Sequence, residues 1–205
     1  MLVIDNALPE HLIRSAMSAW PANDWTGWHR YKNATADKYG SLHGSLIPAA
    51  CRIALEQLAL RVGDHLGSSF VDYEYHAAGL HQLPPGGFLG RHLDAVKHPL
   101  KQWQRTHSVV LFLDTIIGSG QLIVEDQEIP SVSNRAVIFR TDNCWHEVLP
   151  TKHWRRSLAL FAWRETSDML GSTTATFEVR NERNCDTTDS CCGGDSCGTR
   201  PRPGR

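Results

Sequence analysis

The sequence has no long apolar run. None of its stretches approaches the ~18 uninterrupted apolar residues of a bilayer-spanning helix, so no membrane partner is expected. The opening MLVIDNALPEHLIRS has no apolar core of signal-peptide length, because Asp5, Glu10 and His11 interrupt it; a cytoplasmic location is expected. Charge of one sign is also lacking. Lys plus Arg is 21 against 22 Asp plus Glu, for a net charge of -1, which excludes binding nucleic acid through bulk charge. Cysteine is scarce in the body of the chain. Cys185, Cys191, Cys192 and Cys197 cluster near the C-terminus, leaving Cys51 and Cys144, so no disulfide framework is expected.

What is present resembles an ordinary globular domain: 41% hydrophobic and 21% charged residues in a length that favours one domain. Residues 181–205 contain no Val, Ile, Leu, Met, Phe, Trp or Tyr. Such a segment buries too little apolar surface to offset its ordering entropy. The sequence therefore predicts a domain over 1–180 and a flexible cysteine-containing tail over 181–205. The tail's C-x5-CC-x4-C spacing matches no standard zinc site.

Residues 2–5 read as a strand and 9–19 as a helix ended by Pro21. Residues 22–44 read as loop and carry Trp25, Trp28, His29 and Tyr31 as one candidate substrate wall. A second helix is predicted over 46–63, with apolar surface from Leu46, Ile53, Leu55, Leu58, Leu60 and Val62, Pro48 in its first turn and Gly63 after its end. From residue 69 the period changes to two. Strands are predicted at 69–75, 79–83, 89–94, 107–114, 120–125, 135–140, 145–149, 155–163 and 174–179, punctuated by Gly, Pro, Asn and Asp. Many short strands after two helices predict a mainly β (α+β) fold, a sandwich or jelly roll with N-terminal helices packed on one sheet.

Three features carry chemistry. His92-Leu93-Asp94 ends a predicted strand, where residues i and i+2 share a face about 7 Å apart, so an imidazole and a carboxylate can converge on one ion. His146 follows on another predicted strand. Two His and one carboxylate, without Cys, describe the facial triad of non-haem Fe(II), which leaves positions open for substrate and oxygen. Arg155 and Ser157 share one face of a third strand, where a guanidinium fork and a hydroxyl can grip a carboxylate. Alternation admits either Arg155 or Arg156 to the interior, and Ser157 favours Arg155.

The stretch HQLPPGGFLGRHLD (81–94), HEV (146–148), RRSLALFAW (155–163) and the opening VIDNALPEHL (3–12) resemble the 2-oxoglutarate/Fe(II) dioxygenases, in particular their prolyl 4-hydroxylase-like branch. The resemblance covers roughly residues 1–165 and implies a double-stranded β-helix. It implies Fe(II) on His92, Asp94 and His146 as catalytic metal ligands, and 2-oxoglutarate with its far carboxylate on Arg155, helped by Ser157. The branch often has a Tyr nine or ten residues before the first His, touching the cosubstrate. Here Gln82 and Leu83 stand there, and Gln82 is assigned to the cosubstrate. O2 is the co-reactant and ascorbate a supporting reductant. Asp94 argues against the halogenating relatives, which usually have Gly or Ala at that position.

The implied reaction hydroxylates an unactivated C–H bond with release of succinate and CO2. Peptidyl proline is the first substrate expectation. The alternatives are a free amino acid or other small molecule, or a non-catalytic metal-binding jelly roll that acts as a sensor or binding module. Residues 95–106 read as a long basic loop, with Lys97, Lys101, Trp103 and Arg105 suited to an acidic or peptide substrate and His98 as a further contact.

Overall fold

Two prolines set where the helices begin. In the computed structural model, which describes residues 1–41, 46–72, 78–98 and 100–166, Pro9 precedes helix α1 (Glu10–Ser18) and Pro48 precedes helix α2 (Ala49–Val62). Proline disfavours helical geometry in the residue before it. That is why α2 starts after Pro48 rather than at Leu46. Its buried stripe is Cys51, Ala54, Leu55, Leu58, Ala59 and Val62, at the 3.6-residue period of one helix face. Ile53 and Leu60, counted in the predicted apolar surface of the helix, fall off that stripe and are exposed, as is Leu46.

Among the described residues, twelve strands follow or flank the helices: β1 (Leu2–Ile4), β2 (Trp28–Lys32), β3 (Asp37–Ser41), β4 (Phe70–Val71), β5 (Gly79–Leu83), β6 (Leu89–His92), β7 (Trp103–Phe112), β8 (Leu122–Val124), β9 (Gln127–Ile129), β10 (Ala136–Arg140), β11 (His146–Val148) and β12 (Arg155–Glu165). They form two antiparallel sheets. The larger runs β1-β10-β7-β12-β5-β3-β2, with β4 also paired to β12; the smaller runs β6-β11-β8-β9. This is the expected jelly roll with helices on one sheet. The predicted loop 22–44 instead contains the β2–β3 hairpin. The predicted loop 95–106 is shorter, since β7 begins at Trp103. Met1–Met169 is one compact unit. The predicted strand 174–179 and tail 181–205 lie outside the described residues.

Strand alternation divides the interior in two. On β7 and β12, Val109, Leu111, Leu158, Leu160 and Ala162 face the helices and join Leu55, Leu58 and Val62 in one core. Their neighbours face the smaller sheet, where Phe112 packs with Leu83, Leu122, Val124, Val137, Phe139 and Val148. Leu158 is fully buried, so Leu158→Ala should cost about 2–5 kcal/mol through lost transfer energy and the residual cavity.

Asn134 latches the N-terminal segment to this frame. Its side-chain oxygen accepts the Leu8 N–H at 2.9 Å and its amide donates to the Leu8 carbonyl at 2.7 Å. Its backbone takes φ 63°, a region Asn tolerates better than most residues. Asn134→Ala should lose about 2–3 kcal/mol, since it strands two buried backbone groups and strains the turn. Denaturant unfolding should show a lower midpoint with an unchanged slope.

Candidate active site

The two imidazoles meet because β6 and β11 pair antiparallel with His92 opposite His146. Their ring centroids lie 4.1 Å apart. The turn before β6 depends on glycine. Gly86 has φ +81°, and a Cβ on Gly87 would lie 2.7 Å from the Asp37 carbonyl oxygen. That bare backbone lets the chain pass β3 and enter β6 at the depth that places His92.

Each ring has its Nδ1 against a carbonyl: His92 on Gly90 at 2.8 Å and His146 on Cys144 at 3.2 Å. The hydrogen-bond network therefore assigns the proton to Nδ1 and leaves both Nε2 lone pairs for a ligand. Both Nε2 atoms lie 3.8 Å from Asp94 Oδ1. Asp94 sits two residues past the end of β6, in the segment that follows the strand. His92, Asp94 and His146 are the one cluster of three such donors among the described residues, with ligand atoms within 4.8 Å of one another.

Two groups the sequence motif does not include fix the carboxylate. Ser108 Oγ donates to Asp94 Oδ2 at 2.5 Å. Arg105 Nη1 lies 3.5 Å from Oδ1, and its guanidinium stacks on Phe161 at 3.8 Å. Burial alone would raise the Asp94 pKa, but His146, Arg105, Ser108 and His92 outweigh it and hold it below the ordinary carboxylate value. Arg105 is thus a buried strand residue beside Asp94 and not the substrate-binding loop residue predicted.

Burial pushes the His146 pKa below its ordinary value of 6.5, with Asp94 opposing. The folded state prefers the neutral ring, so its stabilising contribution is complete above the unfolded pKa near 6.5 and is lost as pH falls below it. Thermal unfolding of the metal-free protein should therefore weaken from pH 7 to pH 5, and His146→Gln should flatten that dependence.

Deeper in the barrel, Arg155 is 2% exposed. Its guanidinium lies 4.8 Å over the Phe112 ring, and Nε and Nη2 have no partner. Burial pushes its pKa down to about 10, partly offset by Asp114, so it stays charged at neutral pH. A Cβ on Gly120 would sit 3.3 Å from Arg155 Cδ; the glycine leaves room for the arginine. A buried guanidinium with unpaired donors is costly unless an anion arrives. Ser157 is buried on the same strand face. Arg156 points the other way and forms a two-pronged pair with Asp114, at 3.0 and 2.6 Å, which removes it as the anchor.

Gln82 does not reach this face. It pairs with Arg156 across the sheet; its oxygen accepts from Trp20 Nε1 at 2.9 Å, and its amide lies 3.2 Å from Asn23 Oδ1. The inward positions on β5 are His81 and Leu83. His98 is also withdrawn: it is buried between Trp103 and Trp163, with Nε2 3.5 Å from Asp72. Trp25 and Trp28 pack together at 5.3 Å and pin the hairpin to the helix-side core, whereas His29 and Tyr31 lie on the opposite face. Trp163 and Phe161 are buried, whereas Trp145 is 44% exposed.

The sequence profile of the 2OG-Fe(II) oxygenase superfamily matches residues 78–163, which contain the triad and Arg155. Over these residues the chain is similar to the 2OG-Fe(II) oxygenase superfamily. Among solved structures, the chain is similar to a prolyl-4-hydroxylase from Pseudomonas putida, at 23% identity over 81% of this chain and 92% of that one, TM-score 0.60. It is also similar to a prolyl hydroxylase from Trichoplax adhaerens in complex with a hypoxia inducible factor peptide fragment, at 16% identity over 79% and 82%, TM-score 0.59. A non-heme alpha ketoglutarate dependent epimerase from nogalamycin biosynthesis matches at 10% identity over 80% and 77%, TM-score 0.60. At these identities the likeness is one of fold. No curated protein matches. The superfamily implies Fe(II) and 2-oxoglutarate, and the donor set fits both: an imidazole–carboxylate–imidazole cluster for the metal, an unpaired buried guanidinium for an anion. No helix among the described residues is long and apolar enough to cross a membrane.

Proposed function

We propose that this protein is an Fe(II)- and 2-oxoglutarate-dependent hydroxylase in which His92, Asp94 and His146 hold the metal and Arg155, with Ser157, binds the far carboxylate of 2-oxoglutarate. The observation that carries this reading is Arg155. A metal-binding module needs no buried cation with unpaired donors behind the ion, whereas a dianionic cosubstrate needs one there. Iron with 2-oxoglutarate supplies the oxygen-activating chemistry, in which the cosubstrate becomes succinate and CO2 and one C–H becomes C–OH.

The chain's own residues orient and shelter that chemistry. The Gly90 and Cys144 carbonyls fix the ring tautomers. Ser108 and Arg105 hold Asp94 so that Oδ1 faces both Nε2 atoms. Phe112, Phe139 and Leu83 surround the interior with apolar surface that excludes water. Peptidyl proline is the substrate this reading takes first, supported by the prolyl hydroxylases of the same fold. The free thiols Cys51 and Cys144 suit a cytoplasmic location.

Mass spectrometry of prolyl peptides incubated with the protein, Fe(II), ascorbate and 2-oxoglutarate tests the substrate. A product heavier by one oxygen at proline is the expected result. Succinate release without any such product would move the substrate to the small-molecule class.

A further inference from the structure

Lys38 is the cation that the proposed chemistry leaves unused. It lies on β3 opposite Tyr31, one residue from Tyr39, which pairs with Gln82. Gln82 faces the helices, so alternation turns Lys38 and Gly40 inward. A Cβ on Gly40 would indeed lie 3.9 Å from His81 on the inner face of β5. Lys38 Nζ sits 5.5 Å from the Tyr31 ring. Burial depresses the Lys38 pKa, and the Asp94 carboxylate opposes it. Lys38 in turn acts on His146. It has no ion pair or hydrogen bond among the described residues.

An ammonium beside a divalent-metal site opposes metal binding, because like charges repel most strongly in a partly buried pocket. Its use must lie with an anion. Among the described residues, the inner face carries three cationic side chains, Lys38, Arg105 and Arg155, beside the carboxylate of Asp94. A ferrous ion adds two positive charges and 2-oxoglutarate removes two. Two positive charges then remain uncompensated. Arg155 and the metal already account for the two carboxylates of the cosubstrate, and Arg105 is committed to Asp94. The two charges left are one on the metal and that of the Lys38 ammonium, which no carboxylate of the cosubstrate matches.

We propose that the substrate carries a carboxylate close to the carbon that is oxidised, and that Lys38 binds it. This rests on the hydroxylase reading above. The carboxylate can be an acidic side chain of a peptide or belong to a free acid, and the two sources separate experimentally.

The test uses the full chain in two arms. In the first, crystals loaded without oxygen with Mn(II) and 2-oxoglutarate are soaked in bromide, located by anomalous scattering. A bromide on Lys38 Nζ that disappears in Lys38→Gln is expected; bromide scattered elsewhere only overturns the proposal. In the second, prolyl peptides with Glu beside proline are compared with their Gln counterparts, and L-proline with L-prolinamide, by oxygen gain. The acid member of at least one pair should be preferred by ten-fold or more, with the preference lost in Lys38→Gln. Equal use of acid and amide, or preference for the amide, overturns it. If no compound is turned over, the bromide site alone decides. Succinate release by wild-type protein without substrate tests the underlying hydroxylase reading separately.

Discussion

Arg155→Leu should raise the 2-oxoglutarate concentration for half-maximal succinate release by about 30-fold to several thousand-fold. Truncating one partner of a buried hydrogen-bonded charge pair costs about 2–5 kcal/mol, and each 1.4 kcal/mol is a factor of ten. The same substitution should stabilise the cosubstrate-free protein, by about 1–4 kcal/mol on the scale of buried ions replaced by apolar side chains. The guanidinium is fully buried with Nε and Nη2 unpaired, against Phe112 and beneath Gly120. Leucine would fill that space without a charge to desolvate. Thermal unfolding with and without 2-oxoglutarate reads both effects: the variant should melt higher alone and gain much less from the cosubstrate at a given concentration. Affinity for Co(II) should change much less than affinity for 2-oxoglutarate. An unchanged 2-oxoglutarate requirement would place the anchor elsewhere.

His146→Gln should lower divalent-metal affinity by more than about 100-fold, beyond the ~10–100-fold that outer partners of a metal site typically contribute, and abolish succinate release. His146 is the better variant for this purpose than Asp94. Removing Asp94 would leave Arg105 buried without its counter-charge, a loss of about 3–5 kcal/mol in folding that would blur the metal effect. His146 is buried and held towards its neutral form, so its amide replacement orphans no charge. Co(II) titration read by visible absorption measures the affinity, and circular dichroism checks the fold.

Much of the frame was legible because its strands follow the binary pattern. The alternation in Trp103–Phe112 and Arg155–Glu165 carries both the helix-side core and the barrel interior, and the spacing of Arg155, Arg156 and Ser157 sorted the two arginines between faces. Two hairpins escaped. In β2, Trp28–Lys32, most side chains are exposed, so the segment lacks an apolar period and reads as loop. The β8–β9 turn uses Glu125 and Asp126, both at positive φ, where Asn-Gly would have signalled a two-residue hairpin.

The site was legible as a linear motif and invisible where it depends on long-range pairing. His92, Asp94 and His146 stand out because metal ligands are few in kind. Ser108 and Arg105 reach Asp94 only through the fold, and nothing in their local sequence marks them. Gln82 was misplaced by one residue of strand register. Distance along the chain from His92 put Gln82 and Leu83 at the cosubstrate position, and the pairing with Arg156 turns Gln82 away. Lys38 was hidden inside the unrecognised hairpin.

The most direct test supplies the Fe(II)-loaded protein with 2-oxoglutarate under 18O2 and weighs the succinate formed. Oxidative decarboxylation at a triad of His92, Asp94 and His146 predicts succinate carrying one heavy oxygen, absent from His146→Gln. Unlabelled succinate, or none from protein shown to hold its metal, would contradict it.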